Sequence, residues 1–350
     1  MKERYENLNG LRVFSCIAII AMHIKANSEY QIEDWFFQNV IGAWGQLVAL
    51  FIMISGFGMF CGYYDDFRNG KINLVEFYSK RYMKILPFFL TLIIIDVILD
   101  RSLGHVLEGL TEATLVFGLL PNNQPDVIGV CWTLGVIFLF YMLFPFITYL
   151  CRNRKLALYT FFGSILLSMI CSVYYFTDKF VISSFVPRHN FLYCAPWILG
   201  GACVFLFRNE IRAFIAKYRW AWLGGCVIID VVWHLVPSEI SGIDICVLKN
   251  LALYLPWLMY AISIDSKILN NKAMKYLSGI SLELYLAQMV IFRCIEKANC
   301  LYIFGNGWLS FLIVWIAVVV GLIIFIEVWK FIRTRIVRMV ENGNKKAGIT

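Results

Sequence analysis

Residues 7–25 read NLNGLRVFSCIAIIAMHIK. The run is apolar enough for hydrocarbon, yet it holds an arginine at position 12 and a histidine at position 23. Ionisable groups inside a membrane segment are rare and tend to be functional. Eleven helical steps separate the two, which is about 16 Å along the axis and roughly 20° of net rotation. Arg12 and His23 therefore share one helix face, one near a membrane surface and the other deeper on the same wall.

The rest of the chain fits the same setting. Of its 350 residues, 60% are hydrophobic and only 15% charged, with a mean hydropathy of +0.72. Soluble domains carry about 25% charged residues. Repeated continuous apolar runs predict an all-α polytopic membrane protein, and their lack of alternation argues against a β-barrel. The net charge of +8 reflects loop lysines and arginines rather than a nucleic-acid surface. Eleven scattered cysteines show no CxxC pair and no zinc spacing, so buried thiols are expected and no metal. The first run lacks a small-residue cleavage site and reads as a retained span.

Ten spans are predicted, over about 8–26, 39–62, 84–100, 128–150, 156–176, 188–207, 219–236, 244–264, 280–297 and 305–332. With the N-terminus inside, seven basic residues fall in outer loops or outer halves of helices: Lys25, Arg101, Lys179, Arg188, Lys249, Arg293 and Lys297. Arg12 lies within its span, and the other 23 of the 31 sit in inner segments. That bias predicts both termini in the cytoplasm. One transmembrane domain over 1–334 and a basic cytoplasmic tail over 335–350 follow, the tail lying against anionic lipid. Two outer loops, 27–38 and 101–127, are long enough to select a polar substrate. The second includes Pro121, Asn122, Asn123, Pro125 and Asp126.

The candidate chemistry starts from the first helix. His23 can take up or release a proton near neutral pH. Lys80, Arg81 and Lys84 lead into the third span and, with Arg12, would make a cationic mouth for a phosphorylated ligand. Ordinary positive-inside anchoring explains that basic run equally well. Asp96 or Asp230 would orient the His23 imidazole, unless either is instead an ion-pair partner of Arg293.

Five segments in order resemble the acyltransferase-3 family of integral membrane proteins. They are NLNGLRVFSCIAIIAMHI (7–24), FIMISGFGMF (51–60), FYSKRYMKILP (77–87), WTLGVIFLFYMLFP (132–145) and LSGISLELYLAQMVI (277–291). The resemblance implies a ten-helix plasma-membrane enzyme that moves an acyl group, commonly acetyl, from cytoplasmic acyl-CoA to a carbohydrate hydroxyl. It implies Arg12 at the donor and His23 at the transfer centre. The same segments supply Ser55, Trp132, Tyr141 and Tyr285 as pocket candidates beside Asp96 and Asp230. Two departures stand out. Ile137 and Phe138 occupy places where many relatives carry acids, and Gln288 stands where many carry histidine. The expected partners are membrane lipid, acyl-CoA and a lipid-linked or surface glycan. The competing reading is a transporter of a polysaccharide or small anion, for which ten spans and buried charge are equally suitable. Close helix packing explains the pairs Gly200–Gly201 and Gly224–Gly225 more simply than matched broken helices do.

Overall fold

The computed structural model describes residues 4–99, 101–119, 127–182 and 184–346. The outer-loop turn 120–126, which holds Pro121, Asn122, Asn123, Pro125 and Asp126, and the last four tail residues lie outside these. Thirteen α-helices occur among the described residues, with one two-stranded hairpin, β1 (Glu239–Ile240) and β2 (Ile243–Asp244). In chain order the helices are α1 (Leu8–Ala26), α2 (Leu47–Arg68), α3 (Leu74–Leu99), α4 (Leu103–Ala113), α5 (Trp132–Leu150), α6 (Arg154–Ile170) and α7 (Phe191–Leu206). They continue with α8 (Arg208–Lys217), α9 (Arg219–Leu235), α10 (Cys246–Ser263), α11 (Lys272–Gly279), α12 (Ser281–Lys297) and α13 (Trp308–Lys346). The protein is all-α and multi-pass.

Every predicted span has a helix, but not every helix has the length to cross. Seven are long and apolar enough among the described residues, or nine when α7 with α8 and α11 with α12 each count as one bent span. The expected tenth, over 219–236, is α9. Its 17 residues reach about 26 Å at 1.5 Å per residue, at the short end of the range of about 17–25 residues that span a bilayer. Seven to nine candidate spans by length and composition, with α9 beside them, stand against the expected ten or so. At the other extreme α13 has 39 residues, about 58 Å, so residue 335 lies within a continuing helix.

The chain divides into two compact units. The first comprises residues 1–15 and 46–278, the second 16–45 and 279–350. In the first unit α7 is the central element, packed against α2, α6 and α10 and buried along most of its length. Two glycines let it approach α2. A Cβ on Gly201 would strike the carbonyl oxygen of Met53, and one on Gly56 the carbonyl oxygen of Ile198. Backbone-to-backbone approach of this kind is how helices gain packing energy where hydrocarbon supplies none. Gly224 and Gly225 differ, because a Cβ on either would meet open space. Close packing explains the first glycine pair and not the second.

The start of α1 is also pinned within this unit. Asn7 is buried and its Nδ2 donates to the carbonyl oxygens of Ala261, at 3.2 Å, and Ile264. Its Oδ1 accepts from the Ser266 amide at 3.4 Å. A Cβ on Gly10 would lie 2.5 Å from Leu269 Cα. The NLNG motif thus docks α1 onto the end of α10 and the turn beyond it.

In the second unit, α12 packs on α13, with Gly321 close against Ile291. The Trp315 indole donates to the Ile17 carbonyl at 3.0 Å. The loop after α1 is fastened by Tyr30 to Leu301 (2.9 Å), by Trp308 to Asp34 (2.7 Å), and by Phe37 packed edge-on to Trp308 and Phe311. Loop 27–38 is therefore an ordered structure with its own aromatic core.

Gly201→Ala should lower the melting temperature of the detergent-solubilised protein, at a cost on the order of 1–3 kcal/mol for overpacking. Gly224→Ala should leave it unchanged. A scanning-fluorimetry comparison of the two checks the assignment, and equal effects would contradict it.

Candidate active site

Arg12 lies one and a half turns into α1, half-buried. The missing side chain of Gly58 makes room for it: a Cβ there would sit 3.5 Å from Arg12 Nη2. The Tyr141 hydroxyl lies within electrostatic reach of both Arg12 and Arg81. Arg81 is enclosed by aromatic faces, with its Cζ 4.6 Å from the ring centre of Tyr63, 5.1 Å from Tyr141 and 5.5 Å from Phe77. Cation–π contacts hold a guanidinium without neutralising it. Arg81 Nε is buried with no hydrogen-bond partner. Two guanidiniums therefore meet around one tyrosine with no carboxylate in the set, and one N–H is left for an incoming oxygen. That is a suitable arrangement for an anionic ligand.

The neighbouring basic residues go elsewhere. Lys80 is exposed and pairs with Glu76 at 2.5 Å, one turn back on α3. Lys84 is exposed. Of the run KRYMK, Arg81 converges on Arg12 through Tyr141. Ser55 is half-buried on α2, three residues before Gly58 and so on the same helix face.

Trp132 and Tyr141 lie nine residues apart on α5, about 14 Å along the axis and half a turn round it, so they serve different places. Trp132 stacks on His189 with ring centres 4.6 Å apart and planes 19° from parallel. The Arg188 guanidinium lies 5.7 Å from the Trp132 ring. His189 was not singled out from the sequence. Its signal was weak, a proline-led PRH just before an asparagine cap, because only the fold sets it on Trp132. Both of its ring nitrogens are buried without hydrogen-bond partners. Burial and the adjacent Arg188 push its pKa down to about 3, so it is neutral at physiological pH.

The two carboxylates proposed to orient His23 have neighbours of their own. Asp96 Oδ2 is 2.5 Å from His105 Nε2, which ties the end of α3 to α4. Asp230 is exposed on α9, beside Tyr254 of α10. Neither is the ion-pair partner of Arg293, whose Nη1 bonds Glu296 at 2.6 Å and whose Nη2 lies 3.4 Å from Asn27 Oδ1.

In the second unit His23 occupies the last turn of α1, and its carbonyl oxygen accepts from the Asn27 side chain at 2.9 Å. Its Nδ1 is shielded from solvent. Tyr285 and Gln288 are buried on α12. Gln288 donates to the Tyr285 carbonyl at 2.8 Å, and its Oε1 is buried without a partner. Around Ile137 and Phe138 α5 is apolar, and Phe138 packs edge-on to Tyr82 at 4.5 Å. Among the described residues no group of three or more His, Cys, Asp or Glu side chains could hold a metal ion.

A family model described as an acyltransferase domain matches residues 5–327. The chain belongs to the acyltransferase-3 family. Among curated proteins, the family member is similar to "Acyltransferase MdmB" of Streptomyces mycarofaciens, 28% identical over 162 residues. That match covers 41% of this chain and only 38% of the relative's length. No solved structure matches the chain.

Outside the spans this acyltransferase-3 chain carries a second unusual group. Glu112 on α4 is 2% exposed, and its two carboxyl oxygens accept from the Ile128 amide at 3.3 and 3.2 Å. Burial dominates and raises its pKa to about 7. The raised value means that the folded state holds a proton which the unfolded state releases above about pH 4.5. Its stabilising contribution is complete below that pH and lost as pH rises through 7. His189 has the opposite sign: its contribution is present above about 6.5 and lost as pH falls toward 3. Melting temperature measured from pH 4 to 8 should therefore fall on the alkaline side less steeply in Glu112→Gln, and on the acid side less steeply in His189→Gln. Parallel profiles for wild type and both variants would contradict the assignments.

Proposed function

We propose that the protein is a membrane O-acyltransferase. It would move an acyl group, acetyl by family resemblance, from cytoplasmic acyl-CoA to a hydroxyl of a carbohydrate or a cell-surface glycan precursor. The observation that carries this reading is α1 itself. It runs unbroken from Leu8 to Ala26 and holds Arg12 and His23 on one stripe, about 16 Å apart. A flexible thioester arm can cover that distance while its phosphorylated end stays near Arg12 and Arg81. Both termini in the cytoplasm and residence in the plasma membrane belong to the same proposal.

The chemistry needs a base for a weakly nucleophilic alcohol. His23 accepts the hydroxyl proton as the oxygen attacks the thioester carbonyl. A C–O bond forms, the C–S bond breaks, and the thiolate leaves and takes up a proton. An imidazole suits the task because its ordinary pKa lies near the working pH. An acyl-histidine step is compatible with the same residues. Arg12 and Arg81 supply fixed positive charge for the donor's phosphates.

Purified protein is assayed with labelled acetyl-CoA and a glycan acceptor. His23→Ala should lose on the order of 10²–10⁴ in turnover, the usual contribution of a general base. Arg12→Ala should chiefly raise the KM for acyl-CoA. Undiminished transfer by the His23 variant would end the proposal. Uptake of substrate by proteoliposomes without acyl-CoA would favour transport instead.

A further inference from the structure

A second set of cations converges away from Arg12 and Arg81. A cavity of about 610 Å³ opens where α2 ends, where α5 turns into α6, and where α7 bends into α8. Its wall carries Arg68, Arg152, Arg154, Lys155 and Arg208 against one carboxylate, Asp65. Its floor is Tyr64, Phe205 and Leu206, all buried. Arg154 is neutralised by Glu210 at 2.6 Å. Among the described residues the other four cations make no ion pair within 4 Å, although Glu210 is also within electrostatic reach of Arg208 and Arg68 bonds the Tyr64 hydroxyl. The Arg208 guanidinium lies 4.1 Å from the Phe205 ring centre and donates to the Phe205 carbonyl at 2.8 Å. Arg152 lies 5.4 Å from the Tyr149 ring centre. Both are therefore held in place without losing their charge.

Anchoring at a membrane surface does not require this geometry. Anchoring cations spread along the interface, each facing its own lipid. Here three separate connections bring theirs to one hollow. Five cations gathered against two carboxylates, Asp65 and Glu210, leave an excess of like charge that raises the energy of the folded state. Arg154 and Lys155 also open the first turn of α6 with no acid there, against the helix dipole. A multiply charged anion in the hollow would relieve both costs. The volume lies within the range of small-molecule sites, and an apolar floor beneath a cationic wall suits a ligand with one phosphorylated and one less polar part.

We propose that this hollow binds a phosphate-bearing ligand through a phosphomonoester or diphosphate group. The group comes either from a soluble nucleotide or from an anionic lipid headgroup. The inference is independent of the acyl-transfer reading, since it uses neither His23 nor Arg12.

The full-length protein in phosphatidylcholine nanodiscs is titrated calorimetrically with adenosine 3′,5′-bisphosphate. In parallel, native mass spectrometry counts phosphatidic acid retained from mixed micelles. Wild type is compared with the double variant Arg152→Gln, Lys155→Gln, whose side chains are exposed and whose folding is checked by melting temperature, and with Arg208→Gln. At least one probe should bind at a site that depends on Arg152 and Lys155, apart from any binding at Arg12 and Arg81. Affinity should fall about tenfold or more in the double variant, as expected when charge-assisted bonds are removed. Nucleotide binding alone assigns a soluble ligand, and lipid retention alone assigns a headgroup. Binding of neither probe, or equal binding by wild type and a folded double variant, overturns the proposal. Should Arg208→Gln not fold, the exposed pair decides the matter.

Discussion

A guanidinium inside a hydrocarbon-length helix is the constraint on which the arrangement around it depends. Such a charge is costly in lipid and must find compensation within the protein. Arg12 finds it in a gap left by Gly58 and beside the phenol of Tyr141. Neither neighbour carries opposite charge. The same holds for Arg81, whose contacts are the faces of Tyr63, Tyr141 and Phe77. Aromatic faces stabilise a cation while leaving its field intact, whereas a carboxylate would cancel it. This choice keeps positive charge available to a ligand. It also fits the local composition of α5, where Ile137 and Phe138 are apolar and Phe138 packs edge-on to Tyr82.

Placing that charge demands that α1 not slide. The first turn is secured by Asn7 through the carbonyls of Ala261 and Ile264, and by the close approach of Gly10 to Leu269. The polar, glycine-containing prelude to the span therefore has a mechanical role: it fixes the height and rotation of Arg12. Central packing follows the same economy of side chains. Gly56 and Gly201 let α2 and α7 meet backbone to backbone, so α7 is held closely against α2 on its way to the basic hollow at its far end.

The loops show how polar groups are satisfied near the ends of spans. Asp34 both caps the Phe37 amide at 2.9 Å and holds the Trp308 indole. Asp96 and His105 clasp α3 to α4. Each carboxylate has a local partner at a helix boundary, which is the cheapest place to keep a charge close to hydrocarbon. Asp96 accordingly reads as a structural clasp, and the neutral imidazole of His189 on Trp132 becomes the more unusual polar group of the first unit.

The sequence by itself determined the class, all-α and membrane-spanning, because length and apolarity of a segment are one-dimensional properties. It also determined the family resemblance and the shared face of Arg12 and His23, since helical pitch converts spacing into geometry. It located α9 closely, over 219–236 against the observed Arg219–Leu235, because an apolar run and its polar flanks are also one-dimensional. Only the tertiary structure could separate Arg81, caged by three rings, from Lys80, paired on the surface with Glu76, although the two are adjacent in the chain. Only it could seat His189 on Trp132, or gather Arg68, Arg152 and Arg208 into one hollow from three distant connections. The physical reason is common to these cases. Contacts between elements depend on how helices rotate and approach, and that is set by packing over the whole fold rather than by any local run of residues.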